Sequence, residues 1–168
     1  MRTFTFGTTG DRPILGDFNG DGVTEVAVVR NTVTGLVWYF LHSSAPGFLP
    51  FTQWSGAQFG QAPDVPAAED FDGDGKTDIA VFRPSNGVWY ILQSSNGQVR
   101  IDAFGLSGDK PQPADYNGDG KADLCVFRPL DGTWYIARPT GIPGQNYDTV
   151  HWGLATDIPV SSLTTLSQ

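Results

Sequence analysis

The chain holds a single cysteine among its 168 residues, Cys125, so no intrachain disulfide joins it. Histidine is nearly as scarce. His42 and His151 are the only two, and they fall at non-equivalent places in the repeat described below. That leaves no zinc-ligand cluster, and neither a Gly-x-Ser-x-Gly turn nor a P-loop is present. No stretch approaches the ~18 apolar residues of a membrane-spanning helix, and residues 1–16 lack the apolar core of a signal peptide. Basic residues are few: 10 Lys and Arg face 18 Asp and Glu, for a net charge of −8. With no basic cluster, that balance argues against nucleic acid as a partner. Helical periodicity is also missing. The 21 glycines and 12 prolines fall largely at turns, which suits many short strands.

What is abundant is one acidic pattern, used three times. It reads Asp17-Phe-Asn-Gly-Asp-Gly-Val-Thr-Glu25, Asp70-Phe-Asp-Gly-Asp-Gly-Lys-Thr-Asp78 and Asp115-Tyr-Asn-Gly-Asp-Gly-Lys-Ala-Asp123. Ten of the 18 acids lie in these loops, so the acidity is mostly theirs. Oxygen-bearing side chains occupy positions 1, 3, 5 and 9: Asp17, Asn19, Asp21 and Glu25; Asp70, Asp72, Asp74 and Asp78; Asp115, Asn117, Asp119 and Asp123. The position 7 carbonyl (Val23, Lys76, Lys121) would add a backbone oxygen, with its side chain free to point to solvent. A hard cation such as Ca2+ takes six to eight oxygens at about 2.3–2.6 Å, so this spacing predicts about three calcium ions, one per loop. The alternative is three Asx-rich turns without metal. Against it, a turn needs only one or two such residues, and clustered carboxylates repel.

The flanks exclude an EF-hand. Position 12 is Val28, Val81 or Val126, where an EF-hand needs Glu, and the residues after each loop are β-branched and aromatic. Each loop therefore links two strands. Around it an ordered unit recurs: an aromatic-Gly turn, Asp-x-Pro, a short strand, the loop, a second strand, a third strand carrying Trp-Tyr, and a fourth. The aspartates before proline are Asp11, Asp64, Asp109 and Asp157. The third strands carry Trp38, Trp89 and Trp134, and the fourth are expected at Leu49–Trp54, Gln98–Phe104 and Tyr147–Trp152. The second and third loops start 45 residues apart and the first two start 53 apart, which places an insertion within Ser43–Gly60. A period near 45 with four strands per unit is the sign of a propeller blade.

The fold expected is all-β: propeller blades of four antiparallel strands in a single repeat domain over 1–168. Three full units (approximately 11–58, 64–103 and 109–152) lie between lone strands at 2–6 and 158–163. The tryptophans read as packing between blades rather than ligand contacts. Arg30, Arg83 and Arg128 read as structural, paired with a carboxylate or carbonyl and stacked on the Trp, rather than as anion or sugar contacts. Cys125 aligns with Ala27 and Ala80 and reads as a small core residue.

Together these residues resemble the FG-GAP/VCBS-type repeat found in the integrin α-subunit propeller and in bacterial extracellular proteins. The resemblance runs from Phe6 to about Val160 and is most specific in the thrice-repeated loop. It implies loops that join the first and second strands of a blade and bind calcium through positions 1, 3, 5, 7 and 9. Glu25 at position 9, and Asn19 and Asn117 at position 3, depart from the all-Asp pattern, so Asp70–Asp78 is expected to bind tightest. The function implied is a calcium-binding, non-catalytic, extracellular or cell-surface module for adhesion or ligand display. A carbohydrate-binding lectin with sites between blades, where the Trp-Tyr pairs, Trp54 and Trp152 are candidate contacts, is the alternative. A propeller enzyme acting on glycans is less supported. Three blades fall short of a closed ring, so a homo-oligomer, or membership of a larger propeller, is expected. A carbohydrate or protein ligand is the expected partner, with no membrane span.

Overall fold

A computed structural model describes residues 5–43, 51–138 and 146–159. Among these residues there are twelve strands and no helix. The first unit is β1 (Arg12–Gly16), β2 (Glu25–Thr32), β3 (Gly35–Ser43) and β4 (Phe51–Gln58). The second is β5 (Val65–Pro66), β6 (Ile79–Arg83), β7 (Val88–Leu92) and β8 (Val99–Ala103). The third is β9 (Lys110–Pro111), β10 (Cys125–Arg128), β11 (Thr133–Ala137) and β12 (Tyr147–His151). Each unit forms one four-stranded antiparallel sheet in sequence order. The lone strand expected at 2–6 lies partly outside the described residues, and Thr5 and Phe6 are not in a strand. Of 158–163 only Ile158 and Pro159 are described, and neither is in a strand.

The fourth strand of the first unit differs from expectation. It ends at Gln58 rather than Trp54, because β3 and β4 form a longer hairpin than β7 and β8. Much of the extra length in this unit is therefore paired strand.

Register explains the core. Val29 faces Trp38 across β2–β3, Phe82 faces Trp89 across β6–β7, and Phe127 faces Trp134 across β10–β11. Side chains alternate between the two faces of a strand. One face of the first sheet (Ile14, Val29, Trp38, Phe40) therefore meets Ala68 and Val81 of the second. The opposite face of the second sheet (Phe82, Trp89, Ile91) meets Leu124 and Val126 of the third. Trp38 and Trp89 are fully buried, as the packing reading requires. Their indole N–H groups donate to the carbonyls of Phe59 and Phe104 in the aromatic-Gly turns, at 2.9 and 2.7 Å. Burying a large apolar side chain contributes about 1.5–3 kcal/mol, so these two layers carry most of the folding drive. Cys125 lies buried in its sheet, and burial pushes its thiol pKa up to about 12.

The arginines are structural, but they stack on tyrosine rather than tryptophan. Arg30 forms two hydrogen bonds to Asp11 at 2.8 Å, Arg83 two to Asp64 at 2.9 and 3.0 Å, and Arg128 two to Asp109 at 2.9 Å. Their guanidinium carbons sit 4.7, 4.2 and 4.0 Å from the ring centres of Tyr39, Tyr90 and Tyr135. The reason is parity. Arg83 shares a face with Val81, Val81 is opposite Tyr90, and Trp89 points to the other side. Each aspartate also accepts an N–H from its own turn: Thr8 to Asp11, Gln61 to Asp64, and Leu106 to Asp109. One carboxylate thus ties the turn before the first strand to the end of the second.

Asp64 is completely buried beneath Arg83. Removing one member of a buried pair leaves the other charge unmatched, at a cost of about 3–5 kcal/mol. Asp64→Ala is expected to destabilise the protein by that order in urea denaturation, and a loss under 1 kcal/mol would contradict the latch. In the first unit the Arg30 hydrogen bonds hold the Asp11 carboxyl below its usual pKa. Its contribution is therefore present above the ordinary carboxylate range and is lost as pH falls through the lowered value.

Candidate metal-binding loops

The three acidic loops join β1 to β2, β5 to β6 and β9 to β10, and they fold alike. The first aspartate accepts main-chain N–H groups from both glycines. Gly20 and Gly22 donate to Asp17 at 2.6 and 2.8 Å; Gly73 and Gly75 to Asp70, and Gly118 and Gly120 to Asp115, at 2.6 and 2.9 Å. This curl needs positive φ at positions 4 and 6, between 79° and 87° in the three loops, which glycine adopts without a Cβ penalty. The position 5 aspartate accepts the position 7 N–H, as from Lys76 to Asp74 at 2.8 Å. The position 9 acid accepts the position 2 N–H: Phe18 to Glu25 at 2.9 Å, and Phe71 to Asp78 and Tyr116 to Asp123 at 3.0 Å. Glu25, one methylene longer, fills the same role as the aspartates.

Two loops gather three carboxylates apiece. Oxygens of Asp17, Asp21 and Glu25 lie within 4.8 Å of one another, and so do oxygens of Asp70, Asp72 and Asp78. Among the described residues the third loop makes no such grouping. Glu25 and Asp78 are fully buried. Burial is the largest influence on Glu25, Asp78 and Asp123, raising each carboxyl pKa, and neighbouring carboxylates push the same way. Asp115 moves oppositely, lowered by the Gly120 and Gly118 N–H groups. The donor set is all oxygen and strongly anionic, which fits a hard divalent cation.

The position 7 lysines do not simply point to solvent. A Cβ added at Gly20 would lie 2.5 Å from Lys76 Cε, and one at Gly73 would lie 2.9 Å from Lys121 Cε. Each lysine stem therefore crosses the glycine of the preceding loop. Main-chain bonds follow the same path, from Thr77 N–H to the Asp17 carbonyl and from Ala122 N–H to the Asp70 carbonyl, both at 2.7 Å. The loops are thus joined in a row.

Sequence reasoning missed Ser94 and Ser95. They lie in the turn between β7 and β8 and donate to Asp72, Asp74 and Asp78. Their Ser-Ser-Asn-Gly context reads only as a turn, and no spacing rule joins them to a loop twenty residues earlier.

A cavity of about 350 Å3 opens between the first two sheets beside the loops, lined by Phe18, Phe40, His42, Ser55, Thr77 and Ser94 among others. His42 Nε2 lies 2.7 Å from Ser55 Oγ. His151 is exposed, 3.3 Å from the Thr133 hydroxyl. Trp152 is exposed, and the Trp54 side chain is outside the described residues.

No curated protein matches the chain, and neither does any solved structure. The family model of the FG-GAP-like repeat matches it twice, over residues 17–81 and 70–126. Those spans contain all three loops and most of both sheet-to-sheet layers, and the chain belongs to the FG-GAP-like repeat family.

Proposed function

We propose that the protein is a calcium-binding, non-catalytic extracellular module for adhesion or ligand display. The observation that carries this is the gathering of three carboxylates in each of the first two loops, one fully buried in each (Glu25 and Asp78), within a curl that all three loops share. Asp17, Asn19, Asp21 and Glu25 would hold one ion with the Val23 carbonyl. Asp70, Asp72, Asp74 and Asp78 would hold a second with the Lys76 carbonyl. Asp115, Asn117, Asp119 and Asp123 would hold a third with the Lys121 carbonyl. When bound, the ion supplies positive charge that favours the ionised carboxylates and braces the hairpin. The all-Asp second loop binds tightest, since each Asn removes one negative charge. The extracellular location follows from calcium supply: sites of modest affinity fill where the ion is abundant. FG-GAP-like repeats are generally non-enzymatic, in keeping with a binding role.

A ligand that binds only the folded state adds about 2.7 kcal/mol at 100 times its Kd. Thermal unfolding followed by circular dichroism is therefore expected to shift upward by several degrees in millimolar calcium relative to chelator. An unchanged midpoint would remove the metal from this account.

The three sheets are read as consecutive blades of a propeller. The far face of the third carries Phe127, Trp134 and Ile136, the counterparts of residues that the first two sheets bury against a neighbour. Trp134 is half-exposed where Trp38 and Trp89 are buried, and among the described residues a Cβ at Gly118 would meet nothing within 4 Å. A sheet of the same kind from a second copy would cover this face. Light scattering at micromolar concentration is expected to give a dimer or larger species, and a stable monomer would count against the assembly.

A second reading, carbohydrate binding, is favoured by the cavity between the first two sheets. Half-buried Phe18 offers apolar surface to a sugar ring, and His42, Ser55, Thr77 and Ser94 offer polar groups to its hydroxyls. A glycan array is expected to return hits that weaken in His42→Ala, a half-buried lining residue outside the core layers. No hits, or hits indifferent to that change, would sink this site.

A further inference from the structure

The three loops solve one electrostatic problem in two ways. In the first and third, the Asn at position 3 turns its amide toward the position 9 acid: Asn19 Nδ2 donates to Glu25 Oε1 at 2.8 Å, and Asn117 Nδ2 to Asp123 Oδ1 at 3.1 Å. The second loop has Asp72 there, a carboxylate with no hydrogen to give. The donors come instead from the β7–β8 turn. Ser94 N–H donates to Asp78 Oδ1 at 2.7 Å, and Ser94 Oγ–H to Asp74 Oδ1 at 2.9 Å. Ser95 Oγ–H donates to Asp72 Oδ2 at 2.7 Å, and Ser95 N–H reaches the same oxygen at 3.4 Å.

Four donors from one turn thus hold three of the four acids in the loop. The turn is itself closed, by Gln93 N–H to the Gln98 carbonyl at 3.0 Å and Gly97 N–H to the Gln93 carbonyl at 2.9 Å. The serines are therefore presented by a braced turn rather than a loose end.

We propose that Ser94 and Ser95 are positioning residues for a divalent cation in the second loop, an inference that rests on the calcium reading above. They touch the carboxylates, not the ion. Groups that orient ligands from behind change metal affinity by roughly 10–100-fold when removed, because the ligands must then be ordered at the moment of binding. Here Ser95 also aims Asp72, the one position 3 residue whose extra charge sets this loop apart.

The test is a calcium titration of isotope-labelled protein by NMR, reading the Gly75 amide, which donates to Asp70 in the second loop. Gly22 and Gly120 report the first and third loops in the same sample. In Ser94→Ala/Ser95→Ala the Gly75 midpoint is expected to move to roughly 10–100-fold higher calcium, with the Gly22 and Gly120 midpoints unchanged. Ser95→Thr, which keeps a hydroxyl, is expected to hold the wild-type midpoint better than Ser95→Ala. If the double variant does not fold, the single Ser95→Ala carries the test at an exposed position. A wild-type Gly75 midpoint in the folded alanine variants overturns the positioning role. So does an equal loss with Thr and Ala. If no glycine amide of the wild-type protein responds to calcium, the calcium reading itself fails.

Discussion

Carboxylates aimed at one point repel unless hydrogen-bond donors or a cation occupy the space between them. At the short separations in these loops that repulsion is worth several kcal/mol where water is thin. The backbone meets part of it by turning glycine N–H groups onto Asp17, Asp70 and Asp115. Side chains meet another part, Asn19 and Asn117 from within their loops, and Ser94 and Ser95 from outside theirs. Glu25, Asp78 and Asp123 are still pushed toward the neutral form, first by burial and then by the neighbouring carboxylates. A loop in that condition gains from a divalent ion more than a solvated turn would.

The same loops also carry contacts between units. Loop two leans on loop one through Lys76 over Gly20 and Thr77 against the Asp17 carbonyl, and loop three leans on loop two in the same way. Beneath them the tryptophan layers fill the space between sheets. Behind each first strand an Asp-Arg-Tyr latch fixes where the chain enters the unit. A small four-stranded sheet has too little core to stand alone, so these three kinds of contact act together. Bracing one loop therefore stiffens a junction as well as a hairpin.

Much of this was legible in the sequence, and the parts that were not have physical reasons. The loops, the strands after them and the buried tryptophans followed from spacing and period. The arginine partner was misread because Trp and Tyr are adjacent in sequence. The alternation that buries Trp89 places Tyr90 on the Arg83 face, so parity alone would have separated them. The extent of β4 was misread because the longer hairpin stretches that unit beyond the others. Lys76 looked free because a repeat read one unit at a time hides what the next unit lays across it. Ser94 and Ser95 were beyond reach for the same kind of reason: their meaning comes only from folding a turn back over a loop.

Near-identical loops thus acquire unequal surroundings through their place in the row. Loop one lies under Lys76, and loop two lies under Lys121 and the serine turn, while Asp115, Asn117 and Asp119 of loop three are exposed. Phe71 is 2% exposed, but its counterpart Tyr116 is 39% exposed, with no neighbouring sheet to cover it among the described residues. A covered loop has a lower local dielectric and fewer ways for its ligands to wander, and both raise what a bound charge is worth. The gathering of acid oxygens in the first two loops and not in the third is the geometric mark of that difference. A sheet seated on the open third face would cover its loop as well, so assembly and ion binding at that end would favour each other through the same contact.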